Sequence, residues 1–217
     1  MIGELITLSI GKPKDYQWKG KNVSSGIGKS IVNEVLLTKE RFIGDDVANP
    51  AFHGGPERAV CLYPYEHYHF WEKEFGVKLT PPAFGENICA SGMKEDDVYI
   101  GDIFSLGEAK IQITEGRVPC STISKFNGID PLLGRIVETC FTGYFFKVLE
   151  EGKVYNTSLL KLEERKQEQV SVLKANHIMF HQQKNVDAME ELLQISDLSQ
   201  AWKEKLINRL NKKRVTK

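Results

Sequence analysis

VYIGDIFSLGEAKIQIT, residues 98–114, decides the fold class. Two runs rich in Val, Ile, Phe and Tyr are separated by Gly107, the pattern of two strands joined by a tight turn. Working outward, Leu5–Ile10, Ile31–Thr38, Ala59–Tyr63 and Tyr144–Leu149 have the same texture, each bounded by Gly, Pro or Asp. One helix is expected to interrupt them over Pro64–Phe75, PYEHYHFWEKEF, with Gly76 as its stop. Closely spaced strands with few helices favour a barrel or curved sheet over a parallel βαβ sheet. Beyond about residue 165 the pattern changes to helix: Ser171 caps VLKANHIMF, Asn185 caps VDAMEELLQI and Ser199 caps QAWKEKLINRL. The expectation is a mainly β (α+β) domain over residues 1–165, followed by a small three-helix bundle over residues 166–217.

Composition narrows the function classes. Of 217 residues, 41% are hydrophobic and 27% charged, as in a chain that buries a core, and the formal net charge is zero. No global field draws the protein to nucleic acid or anionic membrane, so a bound anion must be held by a local cluster of cations. The basic end NKKRVTK is nearly balanced by acids in the same segment and reads as a solvated tail. The first residues lack the pattern of a signal peptide, and no apolar run approaches the ~20 residues of a membrane helix. Four widely spaced cysteines form no CxxC pair, which suits reduced thiols in a cytoplasmic protein.

Three segments mix glycine with polar groups that packing does not need. In AFHGGPERAV, residues 51–60, the pair Gly54–Gly55 lets backbone approach a ligand, His53 precedes it, and Arg58 supplies a forked cation suited to phosphate. In AFGENI, residues 83–88, Glu86 and Asn87 follow a turn. In EGRVPCSTI, residues 115–123, Pro119 stiffens the approach to Cys120, and Arg117 favours a thiolate if the turn folds back. Cys61 and Cys140 read as buried core thiols; Cys89 has no cation in its segment. Residues Ser25–Lys29 form a further flexible turn that ends in a cation. His67 and His69, two apart on a helix, do not share a face and make a poor zinc pair. Local chemistry leaves Cys120 open as nucleophile, sulfur carrier or metal ligand.

Taken in order, SGIGK ending at Lys29, IGDD around Gly44–Asp45, HGGPERAV from His53, FGENI from Phe84, YIGDIFSLGEAKIQIT from Tyr99 and RVPC ending at Cys120 resemble the MOSC domain. The likeness is to its YiiM-like branch, and the helical tail resembles the three-helix domain found there. The resemblance implies a β-barrel-like MOSC core and a molybdenum cofactor (molybdopterin), with Cys120 as the protein ligand to molybdenum. It makes Lys29, Arg58 and Arg117 candidates for the pterin phosphate and substrate rim. His53, Glu86 and Asn87 are candidates for holding the pterin or shaping the pocket. Ser121–Thr122 depart from the aromatic or basic residue often found after the cysteine, which bears on substrate preference.

The activity implied by the resemblance is reduction of N-hydroxylated compounds, such as N-hydroxylated purine bases. The chain has no flavin, nicotinamide or iron–sulfur motif, so an external electron-donor reductase is the expected partner, with neither a nucleic-acid polymer nor a membrane. Two other readings stand beside it: a carrier that holds sulfur as a Cys120 persulfide or delivers the cofactor, and a non-catalytic anion-binding module.

Overall fold

The computed structural model describes residues 1–49 and 54–215, with backbone alone at residues 214 and 215. Twelve strands among the described residues run β1 (Ile2–Ile10), β2 (Lys14–Trp18), β3 (Lys21–Ser25), β4 (Ser30–Ile31), β5 (Glu34–Leu37), β6 (Val60–Pro64), β7 (Ile88–Ser91), β8 (Ile103–Leu106), β9 (Ala109–Gly116), β10 (Tyr144–Glu150), β11 (Gly152–Tyr155) and β12 (Leu159–Glu164). Six helices among the described residues are α1 (Glu66–Phe75), α2 (Thr122–Asn127), α3 (Leu132–Thr139), α4 (Val172–Phe180), α5 (Val186–Leu193) and α6 (Gln200–Val215). Seven strands close into a barrel in the order β1-β12-β8-β9-β10-β6-β7 and back to β1, with β4 added beside β1. Closure leaves few unpaired edges, which answers the barrel expected from strand spacing. The β6–β7 pair is parallel and the other barrel neighbours are antiparallel.

The hairpin at 98–114 forms, but its first strand is shorter than its composition suggests. Gly101, at φ +93°, turns the chain before Ile103. Asp102, fully buried, accepts from the Tyr99 amide at 3.0 Å and from Arg165 Nη2 at 2.8 Å. A buried carboxylate bound by its own turn and by a forked cation holds a bend where apolar residues alone would extend. The residues before the bend serve a different partner: the Val98 carbonyl accepts from Val172 N at 2.9 Å, at the start of α4.

Three other segments depart from expectation. The predicted strand Ile31–Thr38 is split into β4 and β5, which pair with β1 and β11 respectively. The polar hairpin β2–β3 was not foreseen; it turns on Lys19–Gly20, both at positive φ (50° and 76°), with lysine where Asn-Gly usually announces the turn. More than one helix interrupts the β region, since α2 and α3 follow Cys120. They have 6 and 8 residues, too short for a 3.6-residue period to declare itself.

The three C-terminal helices start where their caps predicted. The Ser171 and Asn185 side chains accept from Lys174 N and Ala188 N, and the Ser199 hydroxyl accepts from Trp202 N at 3.2 Å. Val172, Met189, Trp202 and Leu206, each at most 1% exposed, belong to the same apolar cluster as Phe104, Ile111 and Phe146 of the barrel. At about 1.5–3 kcal/mol per buried large side chain, this shared core fixes the tail against the barrel. A second cluster, with Tyr68, Trp71, Phe84, Ile123 and Leu132, packs α1, α2 and α3 together beside the cysteine loop.

Candidate active site

The loops at one end of the barrel enclose a cavity of about 370 Å³. Strand β9 ends at Gly116, and the RVPC segment leaves the sheet with Arg117 N donating to Gly143 O at 2.9 Å. Cys120 then turns into α2, its carbonyl accepting from Ile123 N at 3.1 Å. Of the four cysteines, Cys61, Cys89 and Cys140 are buried and Cys120 is partly exposed. Cys61 also reaches the cavity wall, but burial pushes its thiol up, against the pull of Arg117. Cys120 is therefore the partly exposed thiol in the cavity lining.

The polar turns expected from sequence converge on this cavity, though in different roles. Lys29, Arg58, Asn87, Arg117 and Cys120 all line it. Arg117 Nη1 donates to Phe84 O at 2.6 Å, tying the cysteine loop to the FGEN turn. Burial pushes the Arg117 guanidinium down, and the neighbouring Cys61, Cys120 and Glu86 groups more than reverse this. Lys29 forms a short ion pair with Asp45, whose second oxygen accepts from Asn87 Nδ2 at 2.9 Å. Asn87 also accepts from Cys61 N at 3.0 Å and donates to Ser9 O at 3.2 Å, so its amide braces the wall. Arg58 pairs with buried Glu115, which also accepts from the Ser199 hydroxyl at the start of α6.

Glu86 does not line the cavity. Its carboxylate lies behind the wall, accepting from Tyr68 Oη at 2.5 Å and Phe84 N at 3.0 Å. Burial pushes its pKa up, with the Tyr68 hydrogen bond opposing. Glu86 thus holds the FGEN turn in shape from inside. His53 lies outside the described residues. Of the pair after the cysteine, Thr122 reaches the cavity and Ser121 does not.

Sequence reasoning missed Arg41 and Asp46 on the rim, where Arg41 Nη1 donates to Asp46 Oδ1 at 2.6 Å. Asp46 closes the IGDD stretch and Arg41 stands just before it, but neither carries a sign of the cavity, and only folding brings them to the opening. Among the described lining residues, Lys29, Arg41, Arg58 and Arg117 face Glu40, Asp45 and Asp46, a surplus of a single positive charge. Recognition of an anion here rests on placed forks and amides rather than on net field.

Gly85 shows how closely the turns are fitted. Its φ is +75°, and a Cβ there would meet Ile27 Cγ1 at 3.0 Å and Ile27 Cα at 3.2 Å. Gly85→Ala is expected to cost about 1–3 kcal/mol through backbone strain and displacement of the SGIGK loop. Urea unfolding measures it, and a loss below about 0.5 kcal/mol would show that the loop yields freely.

Comparison with known proteins agrees with this architecture. The MOSC domain model matches residues 49–158, and the YiiM-like, 3-alpha helix domain model matches residues 170–213. The uncharacterized protein YflK of Bacillus subtilis is 40% identical over 200 residues, covering 92% of this chain and 90% of that one. This chain belongs to the MOSC family, in its YiiM-like branch. Protein YiiM of Escherichia coli is 36% identical, with 91% of this chain and 88% of that one covered. The crystal structure of YiiM from Geobacillus stearothermophilus superposes with a TM-score of 0.82 at 32% identity, covering 96% of this chain and 99% of that one. A protein of Gibberella moniliformis named a reductase is 27% identical over 89% of this chain, and the match takes up 35% of that longer protein. For this YiiM-like chain, no helix among the described residues is long and apolar enough to cross a membrane.

Proposed function

We propose that this chain binds a molybdenum cofactor, with Cys120 as the protein ligand to the metal, and reduces N-hydroxylated compounds such as N-hydroxylated purine bases. The observation that carries the reading is one partly exposed thiol in a cavity lined by placed cations, while the other three thiols are buried. A soft thiolate suits a soft, redox-active metal. Membership of the MOSC family and the distant relative named a reductase point the same way.

The donor set fits the group. Arg117, which makes no salt bridge to a carboxylate among the described residues, offers its charge to a phosphate or to an anionic substrate. Lys29 and Arg58 add cations already aimed by Asp45 and Glu115, and a phosphate entering the cavity would share them. Thr122 lines the same cavity as Cys120 and is the candidate to meet the substrate. When bound, the cofactor supplies the two-electron chemistry by which an N–OH group, two electrons and two protons become N–H and water. The electrons come from a separate reductase. The relative named a reductase is longer than the region it shares with this chain, which makes up 35% of its length. We place the reaction in the cytoplasm, where free thiols stay reduced.

Protein freshly purified from a cofactor-producing host should carry about one molybdenum per chain. With an artificial electron donor it should reduce an N-hydroxylated base through many turnovers. A sulfur carrier would stop after one persulfide per Cys120, and a binding module would do neither; either result overturns the proposal.

A further inference from the structure

Cys140, His177 and His181 offer one sulfur and two imidazole nitrogens at most 4.8 Å from one another, and none of the three lines the cavity. His177 lies in α4 and His181 is its C-cap residue, four positions on, so both imidazoles leave the same face. They are exposed, whereas Cys140 beneath them is fully buried. Cys140 ends α3 in the left-handed conformation, at φ 62°. At the ends of α1 and α2 the same conformation is taken by Gly76 and Gly128, the residue that adopts it without steric cost. Here the position carries a thiol instead.

The surroundings hold the three groups in place. His181 Nε2 donates to Val137 O at 2.9 Å, which leaves Nδ1 with its lone pair, the orientation given by a carbonyl behind a ligating imidazole. The buried amide of Asn176, next to His177, donates to Cys140 O at 3.1 Å and Thr142 Oγ1 at 2.9 Å, fixing the backbone that carries the thiol. We propose that Cys140, His177 and His181 form a binding site for a borderline-soft divalent cation of the zinc class. Two nitrogens and a thiolate are the ligand set such an ion takes when it keeps a fourth position for water. The spacing, at most 4.8 Å, exceeds the roughly 3.5 Å edges of a zinc tetrahedron, and a turn of the exposed His177 imidazole toward Cys140 and the held His181 ring would close the difference.

Burial, and then the charge of Glu95, pushes the Cys140 thiol up to about 12, so the ion must displace its proton. Burial and the neighbouring His181 lower His177, which keeps its ring neutral for ligation. The site straddles the two family matches: Cys140 falls in residues 49–158 and both histidines in residues 170–213. A bound ion therefore clamps the helical tail to the barrel.

The full chain, stripped with a chelator, is titrated with Co(II) and then with Zn(II). The expected result is one Co(II) per chain with a thiolate-to-cobalt charge-transfer band that Zn(II) displaces. Cys140→Ser should abolish the band and Cys120→Ala should leave it. His177→Ala changes an exposed side chain, so folding is not at stake, and it should weaken binding at least about tenfold. It therefore decides the matter if Cys140→Ser fails to fold. No band, a band indifferent to His177→Ala, or a band lost in Cys120→Ala would overturn the site. Zn(II) should also raise the melting temperature of the wild type but not of His177→Ala; an equal rise in both overturns the clamp.

Discussion

Cys120→Ala is expected to leave the fold intact and remove both molybdenum and turnover. The side chain is partly exposed on a loop and belongs to neither apolar cluster, so its loss should change stability by no more than about 0.5 kcal/mol. A change behind a metal ligand typically costs 10–100-fold, and loss of the proposed ligand itself should cost at least about 100-fold in activity. Metal analysis, activity and urea unfolding on the same preparation separate the outcomes. Full molybdenum and full activity in the variant would remove Cys120 from the centre. Cys61→Ala is the informative contrast: that thiol is buried in β6, so its substitution should register in stability.

The second large effect lies behind the cavity. Glu115 is 1% exposed and joins Arg58 on the cavity wall to Ser199 at the head of α6, while Gln200 N donates to Glu57 Oε2 at 2.9 Å. Glu115→Ala takes from Arg58 and Ser199 a carboxylate they share. Breaking a buried pair from one side costs about 3–5 kcal/mol, and about 2–4 is expected here because Arg58 is not fully buried. Cofactor retention should fall with it, since Glu115 aims the Arg58 fork. Glu115→Gln keeps an acceptor and should lose less. Burial, against the pull of Arg58, raises the Glu115 pKa, so the folded protein holds that proton more tightly than the unfolded chain. Its contribution to stability is complete below the ordinary carboxyl range and is lost as pH rises through the folded pKa. The Gln variant should therefore show a flatter stability–pH curve across that window. A Glu115→Ala loss below about 1 kcal/mol would mean that the network does not hold the tail.

Much of the site could be read from residues close together in the chain. Pro119 and Arg117 beside Cys120, the Gly54–Gly55 turn before Arg58, and Asn87 after Gly85 each carry their meaning locally, because turn chemistry is set by a few neighbouring residues. Glu86 shows where that reading stops. Its type and position fit a ligand contact, yet the direction of its side chain depends on Tyr68 from α1, 18 residues earlier. Arg41 carried no local signal, and its place on the rim beside Asp46 follows from loop packing alone. Cys140 reads correctly as a buried thiol; its two histidine neighbours lie 37 and 41 residues further on in a separate helix.

By itself the sequence determined the strand-rich core and the three capped helices, and it singled out Cys120 as a candidate, since hydrophobic period, caps and turn residues act over a few positions. The tertiary structure decided the rest: barrel closure through β1 and β12, the pairing of each cavity cation, and the meeting of the Cys140 thiol with two imidazoles. Those depend on contacts between residues far apart in the chain, whose energies appear only when burial brings the groups together and withdraws the water that screened them.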